Sequence, residues 1–207
     1  MYDHKNKFLA AHILSALIFL ILLNSIALQT RATPFQVSAT NSNDYSMEFD
    51  GVNDYLLVSE FSNLPTGSEP FSIALWICTF EYDGTFPYPL VYWGTSDTGM
   101  AAVDHMNLFK LGCLEDQESL EHTFYGTTYT EDTYANKDLP DQQWFHASVT
   151  YDGTSIRIYY NGELLTTNED DADVHSSDVF IGRRFSNYFK GRMDDIRIYD
   201  RELSSSE

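Results

Sequence analysis

From Trp144 to Leu165 the side chains change character residue by residue, and this alternation limits what the chain can fold into. Trp144-Phe145-His146-Ala147-Ser148-Val149-Thr150-Tyr151 alternates, Asp152-Gly153 turns, Ser155 to Tyr160 alternates again, and Asn161-Gly162 turns into Glu163-Leu164-Leu165. A period of two sends successive side chains to opposite faces of a strand, and Asp-Gly and Asn-Gly supply the positive φ angles of tight hairpins. Short β-branched and aromatic runs between turn residues recur at Ser46 to Phe49, Tyr55 to Val58, Phe71 to Phe80, Leu90 to Trp93, Met106 to Leu111, Val179 to Ile181 and Met193 to Tyr199. No stretch from Tyr45 onward keeps helical spacing for three turns. So many short strands in one medium domain predict an all-β fold, a two-sheet antiparallel β-sandwich of jelly-roll type.

Composition narrows the partners. The 207 residues include 31 Asp and Glu against 12 Lys and Arg, a net charge of -19. Such a surplus repels phosphate backbones and anionic headgroups, which excludes nucleic acid and acidic membrane surfaces and leaves cations, neutral ligands and basic proteins. Lys5 and Lys7 precede an apolar run from Phe8 to Leu28, closed by the small-x-small site Ser25-Ile26-Ala27, with Thr30-Arg31-Ala32 as a second cleavage site. Residues 1–27 are therefore expected to be a signal peptide, with an uncleaved anchor as the alternative, 28–44 a short polar leader, and 45–207 the folded domain. The expected location is secreted, with membrane attachment only if the segment stays uncleaved. In an exported chain Cys78 and Cys113 read first as a disulfide, and otherwise as two buried free thiols.

Four blocks have a further meaning. They are Ser46-Met47-Glu48-Phe49-Asp50-Gly51-Val52-Asn53-Asp54-Tyr55-Leu56, Phe71-Ser72-Ile73-Ala74-Leu75-Trp76-Ile77, Trp144 to Gly162, and Phe189 to Ser204. In this order and spacing the chain resembles the laminin G-like, concanavalin A-like lectin and glucanase superfamily over essentially 45–207. The resemblance implies the jelly-roll fold but not one function, since lectins, enzymes and adhesion modules share it. It also implies a structural calcium between opening hairpin and closing strand, for which Asp50, the Gly51 carbonyl and Asp194 are the expected ligands. The residues agree in type: the turn Asp50 to Asp54 is rich in hard oxygen donors, and Asp194 shares the parity of Ile196 and Ile198, so an inward carboxylate there needs a partner. The alternative is that Asp50 and Asp54 make only turn hydrogen bonds and that Asp194 pairs with Arg192 or caps backbone N–H groups.

No catalytic residue is expected. Glucanases of the resembling superfamily carry a strand motif Glu-x-Asp-x-x-Glu, and the nearest stretch here, Leu114 to Glu121 with Asp116, Glu118 and Glu121, exchanges residue types and reads as a polar loop. Pentraxin relatives would carry an acidic ligand run after Ile181-Gly182, where this chain has Arg183-Arg184, suited to an anionic ligand or to offsetting nearby acids. For sugar recognition, aromatic rings edged by polar groups are required. Trp93, Tyr125 and Tyr129 are the expected platform, with Asn107 and His122 as polar partners and ordinary packing as the alternative for each, whereas Trp76 and Trp144 fall in the core blocks. The sequence thus predicts a non-catalytic binding module for polysaccharide, glycoprotein glycans or an extracellular protein, with a glycoside hydrolase or a structural domain as alternatives.

Overall fold

The structure is a computed structural model that describes residues 35–36, 45–59, 63–80, 88–96, 104–114, 117–125 and 132–207. The expected signal segment and most of the leader lie outside the described residues. In chain order the strands are β1 (Phe35–Gln36), β2 (Met47–Asp50), β3 (Leu56–Val58), β4 (Phe71–Thr79), β5 (Tyr88–Ser96), β6 (Asp104–Leu114), β7 (Gln117–Tyr125) and β8 (Thr133–Asn136). There follow β9 (Phe145–Tyr151), β10 (Ser155–Tyr160), β11 (Glu163–Glu169), β12 (Val179–Ile181), β13 (Arg183–Arg184), β14 (Asn187–Tyr188) and β15 (Lys190–Tyr199). One sheet runs β1-β15-β4-β9-β10-β11, with β2 also on β15, and the other runs β3-β12-β5-β6-β7-β8. Every ladder within them is antiparallel. This is the two-sheet antiparallel sandwich that the alternation predicts.

The two inner faces make the core. Phe71, Ile73, Leu75 and Ile77 of β4 lie opposite Tyr151, Val149, Ala147 and Phe145 of β9, all buried. From the other sheet Val91, Trp93, Phe109, Leu111, Leu120, Phe124, Val179 and Ile181 join the same cluster. Each large apolar side chain buried here contributes about 1.5–3 kcal/mol against exposure, so this layer dominates the stability.

Strand β7 is a correction, since Leu114 to Glu121 is expected to be a loop. Its inner face reads Leu120, His122, Phe124 and its outer face Ser119, Glu121, Thr123, so a histidine interrupts the apolar row and hides the apolar period. Glu121 is satisfied across the ladder by Lys110, 3.0 Å away, and by the Ser119 hydroxyl at 2.6 Å. Glu118 accepts the Leu139 N–H. Alternation sends Glu118 and Glu121 to opposite faces, so they cannot act on one bond as a glucanase pair does.

The two cysteines are a second correction. Cys78 is a free, buried thiol on β4. It has the parity of Trp76, not of the core residues Ile73, Leu75 and Ile77, and its register partner is the exposed Arg192. It therefore faces away from the second sheet, whose β6 carries Cys113. Burial pushes its thiol pKa up, against a smaller lowering by Arg192.

Close approach explains one glycine. Gly191 has φ +150°, and a Cβ there would sit 2.4 Å from the Cys78 carbonyl oxygen. The Cys78 backbone on one side and the wholly buried Phe189 ring, 2.8 Å away, on the other leave no cheap escape, so Gly191→Ala is expected to lose about 2–4 kcal/mol, read as a lower urea midpoint with unchanged m-value.

The core also holds one polar pair. His122 Nε2 donates to Asn107 Oδ1, while His122 Nδ1 and Asn107 Nδ2 have no partner among the described residues. Both residues are wholly buried, and the imidazole packs edge-on against Phe124 at 4.5 Å. Burial first, and the Lys110 charge second, push the His122 pKa down to about 3. The unfolded chain binds this proton near pH 6.5 and the folded chain does not, so stability falls as pH falls from 6.5 toward 3, by about 1.4 kcal/mol per pH unit once well below 6.5. Denaturation midpoints measured between pH 6.5 and 5, above the carboxylate range, should decline in the parent. In His122→Leu that slope should shrink by about one proton.

Candidate functional site

Alternation also writes the outer face of the first sheet. Register brings together cross-strand rows: Arg197 of β15, Ala74 of β4, Ser148 of β9 and Tyr159 of β10 in one, and Asp194, Trp76 and His146 in the next. A third row holds Tyr199, Ser72, Thr150 and Arg157. In the first of these the two middle residues are small while the outer two are large. A dip in side-chain size across the sheet is a groove. Its volume is about 270 Å³, and its walls include Tyr159, His146, Asp195, Arg197 and Tyr199.

A bulge in β15 sets the polar wall. Pairing to β4 slips between Asp194 and Arg197, so Asp195 and Ile196 together oppose one residue of β4. Asp195 takes φ +46°, a left-handed conformation that Asp tolerates better than most residues. Its carboxylate accepts from Arg197 Nε at 2.8 Å. The Tyr199 side chain first, and Asp195 after it, raise the Arg197 pKa, so the guanidinium is a fixed cation. His146 is the opposite case: burial lowers its pKa, with Asp195 and Arg197 pulling in opposite directions, so the imidazole is neutral at pH 7.

The C-terminal segment closes one end. Ser72 Oγ donates to the Arg201 carbonyl and accepts the Leu203 N–H, both at 2.9 Å. Arg157 bridges Asp152 at 2.9 Å and Glu202 at 2.7 Å. These contacts hold Leu203, Ser204, Ser205 and Glu207 against the groove. Glu207 is pushed down to about 2, chiefly by its bonds to Arg201. At the far end Trp76 keeps 42% of its surface exposed and meets His146 edge-on at 5.4 Å.

The expected sugar platform lies elsewhere. Trp93 is fully buried and donates its indole N–H to the Pro65 carbonyl at 3.0 Å, so no ring face is free to stack on a sugar. Asn107 is the register partner of Trp93, and its side chain bonds His122, so the structure does unite three of the five chosen residues, but inside the core. Tyr125 ends β7 with its side chain outside what is described, and Tyr129 lies outside the described residues. The tryptophan assignment inverts: Trp76 and Trp144, placed in the core by the sequence, are 42% and 41% exposed. The parity of Ser72 and Ala74 on β4 is the signal for Trp76, because small and polar neighbours two residues apart mark the outward row.

The expected calcium ligands are not brought together. Asp50 Oδ1 accepts the N–H groups of Val52 and Asn53, and Asp54 Oδ2 accepts the Asp50 N–H. These bonds lower the Asp50 pKa. Across the ladder Asp50 faces Lys190, and Asp194 lies four residues along β15 from that point, ~13 Å at the rise of a strand. Ligands of one ion, each 2.3–2.6 Å from it, cannot be so far apart. The bulge supplies the reason: Met193 and Ile196 both point into the core, so Asp194 faces outward with Trp76, and its Oδ1 accepts the Asp195 N–H at 2.7 Å. Among the described residues no three His, Cys, Asp or Glu side chains gather as a metal site. Asp50→Ala is accordingly expected to lower the melting temperature by the same few degrees with calcium as with chelator, because the lost partners are backbone N–H groups.

Comparison with known proteins follows the architecture. The chain is similar in fold to a heptameric SAP-like pentraxin from Limulus polyphemus, with TM-score 0.58 and 14% identity over 76% of each chain. It is similar to domain 4 of AbnA, a GH43 extracellular arabinanase from Geobacillus stearothermophilus solved with arabinotriose, with TM-score 0.55 and 18% identity over 82% of each chain. A Ruminococcus gnavus IT-sialidase CBM40 bound to α2,3 sialyllactose gives TM-score 0.57 and 14% identity, over 78% of this chain and 94% of that one. No sequence among curated proteins matches. The sequence profile of the concanavalin A-like lectin/glucanases superfamily matches residues 50–207, and the chain belongs to that superfamily.

Proposed function

We propose that this chain is a secreted, non-catalytic module that binds a neutral saccharide in the groove on the outer face of the first sheet. The observation that carries the reading is the row Arg197, Ala74, Ser148, Tyr159: a small-residue floor between an aromatic ring and a fixed hydrogen-bond fork. Sugars combine apolar C–H faces with hydroxyl edges, and a site for them needs both kinds of surface at once. Tyr159, Tyr199 and the exposed Trp76 supply ring surface, while Arg197, Asp195, Ser148 and neutral His146 supply donors and acceptors. Binding modules on similar folds, solved with arabinotriose and sialyllactose, support a glycan ligand in general. The net charge of -19 favours a neutral one.

The carboxylates of the groove support binding over hydrolysis. A general acid needs a raised pKa, which requires a semi-buried carboxyl without a cationic partner. Glu207 is held ionised by Arg201, and Asp195 is paired to Arg197 at 2.8 Å. Glu207 is therefore not placed to donate a proton at neutral pH, and the Asp195 carboxylate is occupied by Arg197.

Retention on a panel of immobilised neutral polysaccharides tests the proposal. The parent is expected to be retained selectively, and Tyr159→Ala and Arg197→Met each to lose tenfold or more in affinity, about 1.4 kcal/mol or above, while melting within a few degrees of the parent. Equal retention of parent and both variants would remove the groove from the site. Retention of none on any glycan would move the function to protein adhesion.

A further inference from the structure

The second sheet carries a separate feature on its own outer face. Leu57, Phe180 and Tyr92 form a cross-strand row there, and Phe180 stacks on Tyr92 with ring centres 5.0 Å apart. Tyr55 extends the stack, 6.2 Å from Phe180 and 6.5 Å from Tyr188. Over these rings lies the guanidinium of Arg183, 4.6 Å from the centre of Tyr55, 5.7 Å from Tyr188 and 5.9 Å from Phe180.

Arg183 is unusual in this chain. With 31 acidic residues against 12 basic ones, a cation readily finds a carboxylate, and Lys110, Arg157, Arg192, Arg197 and Arg201 all do. Among the described residues no carboxylate pairs with Arg183. Its Nε donates to the Phe185 carbonyl at 3.0 Å, which leaves the terminal Nη edge without an acceptor among the described residues. That carbonyl is positioned at a cost. Arg183–Tyr188 and Arg184–Asn187 pair as a hairpin whose two-residue turn is Phe185-Ser186, and Phe185 takes φ +53°, a conformation a bulky side chain rarely adopts. Strain of this kind persists where the surroundings fix it, and here it sets the carbonyl that holds Arg183 Nε, while the Phe185 ring, 42% exposed, packs under the Arg184 guanidinium at 4.8 Å.

We propose that Arg183, framed by Tyr55, Phe180 and Tyr188, is a second binding site, for the carboxylate of a single uronate unit within an otherwise largely neutral glycan. A planar fork held against aromatic rings presents two parallel N–H donors, which match a carboxylate bidentately. The surroundings select a sugar over an acidic peptide. Tyr55 is 39% and Leu57 48% exposed, so a rigid pyranose can lay its C–H face on exposed apolar surface while its equatorial carboxylate reaches the fork. A flexible Asp or Glu side chain would have to freeze its rotamers to reach the same fork and would bring no such face. The overall charge limits the ligand to isolated uronates, since a long polyanion is repelled. The site lies on the other sheet from the groove and does not rest on the groove reading.

Calorimetric titration of the folded chain with a galactose trisaccharide that carries one terminal galacturonate, and with uncharged galactotriose as control, tests it. The monouronate should bind saturably, one per chain, and galactotriose at this site at least tenfold more weakly. Arg183→Met should lose tenfold or more. Arg183→Lys, which keeps the charge but not the fork, should fall between parent and Arg183→Met, and it serves as the readout if Arg183→Met does not fold. Tyr159→Ala, in the groove, should leave uronate binding unchanged, so the two sites fail or stand separately. The proposal is overturned if the monouronate trisaccharide does not bind, if either arginine variant binds as the parent does, or if a hexaglutamate peptide binds equally well.

Discussion

One extra residue in β15 governs how this sandwich can have both a dry core and a functional outer face. Strand β15 is the hub of the first sheet, pairing with β4 on one side and with β1 and β2 on the other. A regular strand would place Met193 and Ile196 on opposite faces, with either an apolar side chain in water or a carboxylate in the core. The bulge at Asp195 changes the parity midway, so Met193, Ile196 and Ile198 are all buried. Burying an unpaired carboxylate costs several kcal/mol, whereas a left-handed φ at an Asp costs of order 1 kcal/mol, so the bulge is the cheaper solution. The same residue then bonds Arg197 and sets the polar wall of the groove.

That bulge also marks where the sequence stops being legible. The hairpins Trp144 to Leu165 and the core strand Phe71 to Thr79 can be read directly, because their alternation is unbroken and their turns carry Asp-Gly and Asn-Gly. Asp194 is misread because parity carried backward from Ile196 assumes a regular strand, and Asp-Asp does not announce an inserted residue. β7 is misread for a different reason: its inner row includes His122, and its outer row is satisfied by Lys110, so the apolar count fails although the period of two is intact. Trp93 and Trp76 exchange roles since a tryptophan's type says little about its face, while the residues two positions away say a good deal. Ser72 and Ala74 expose the row of Trp76, and Val91 buries the row of Trp93.

The groove was not legible as a site because its essential members are absences. Ala74 and Ser148 matter by being small, and only register places them side by side between Tyr159 and Arg197. No motif search detects a dip in side-chain size shared by four strands drawn from three separate stretches of the sequence. Arg197 likewise reads as an ordinary outward residue of a closing strand until Asp195 and Tyr199 fix its charge.

Charge divides the two outer faces. In a chain so rich in carboxylates, most cations are neutralised locally: Arg192 by Glu48, Arg157 by Asp152 and Glu202, and Lys110 by Glu121 and Asp132. Arg197 follows this pattern, and its ion pair leaves a groove that is polar without being charged. Arg183 departs from it, trading a carboxylate for three rings and a carbonyl, and so keeps an uncompensated positive edge. Neither arrangement reaches the core layer between the sheets. The side chains that would select a ligand can therefore vary on the outward parity of each strand while the inward parity holds the fold, and this is how one sandwich can carry unrelated sites on its two faces.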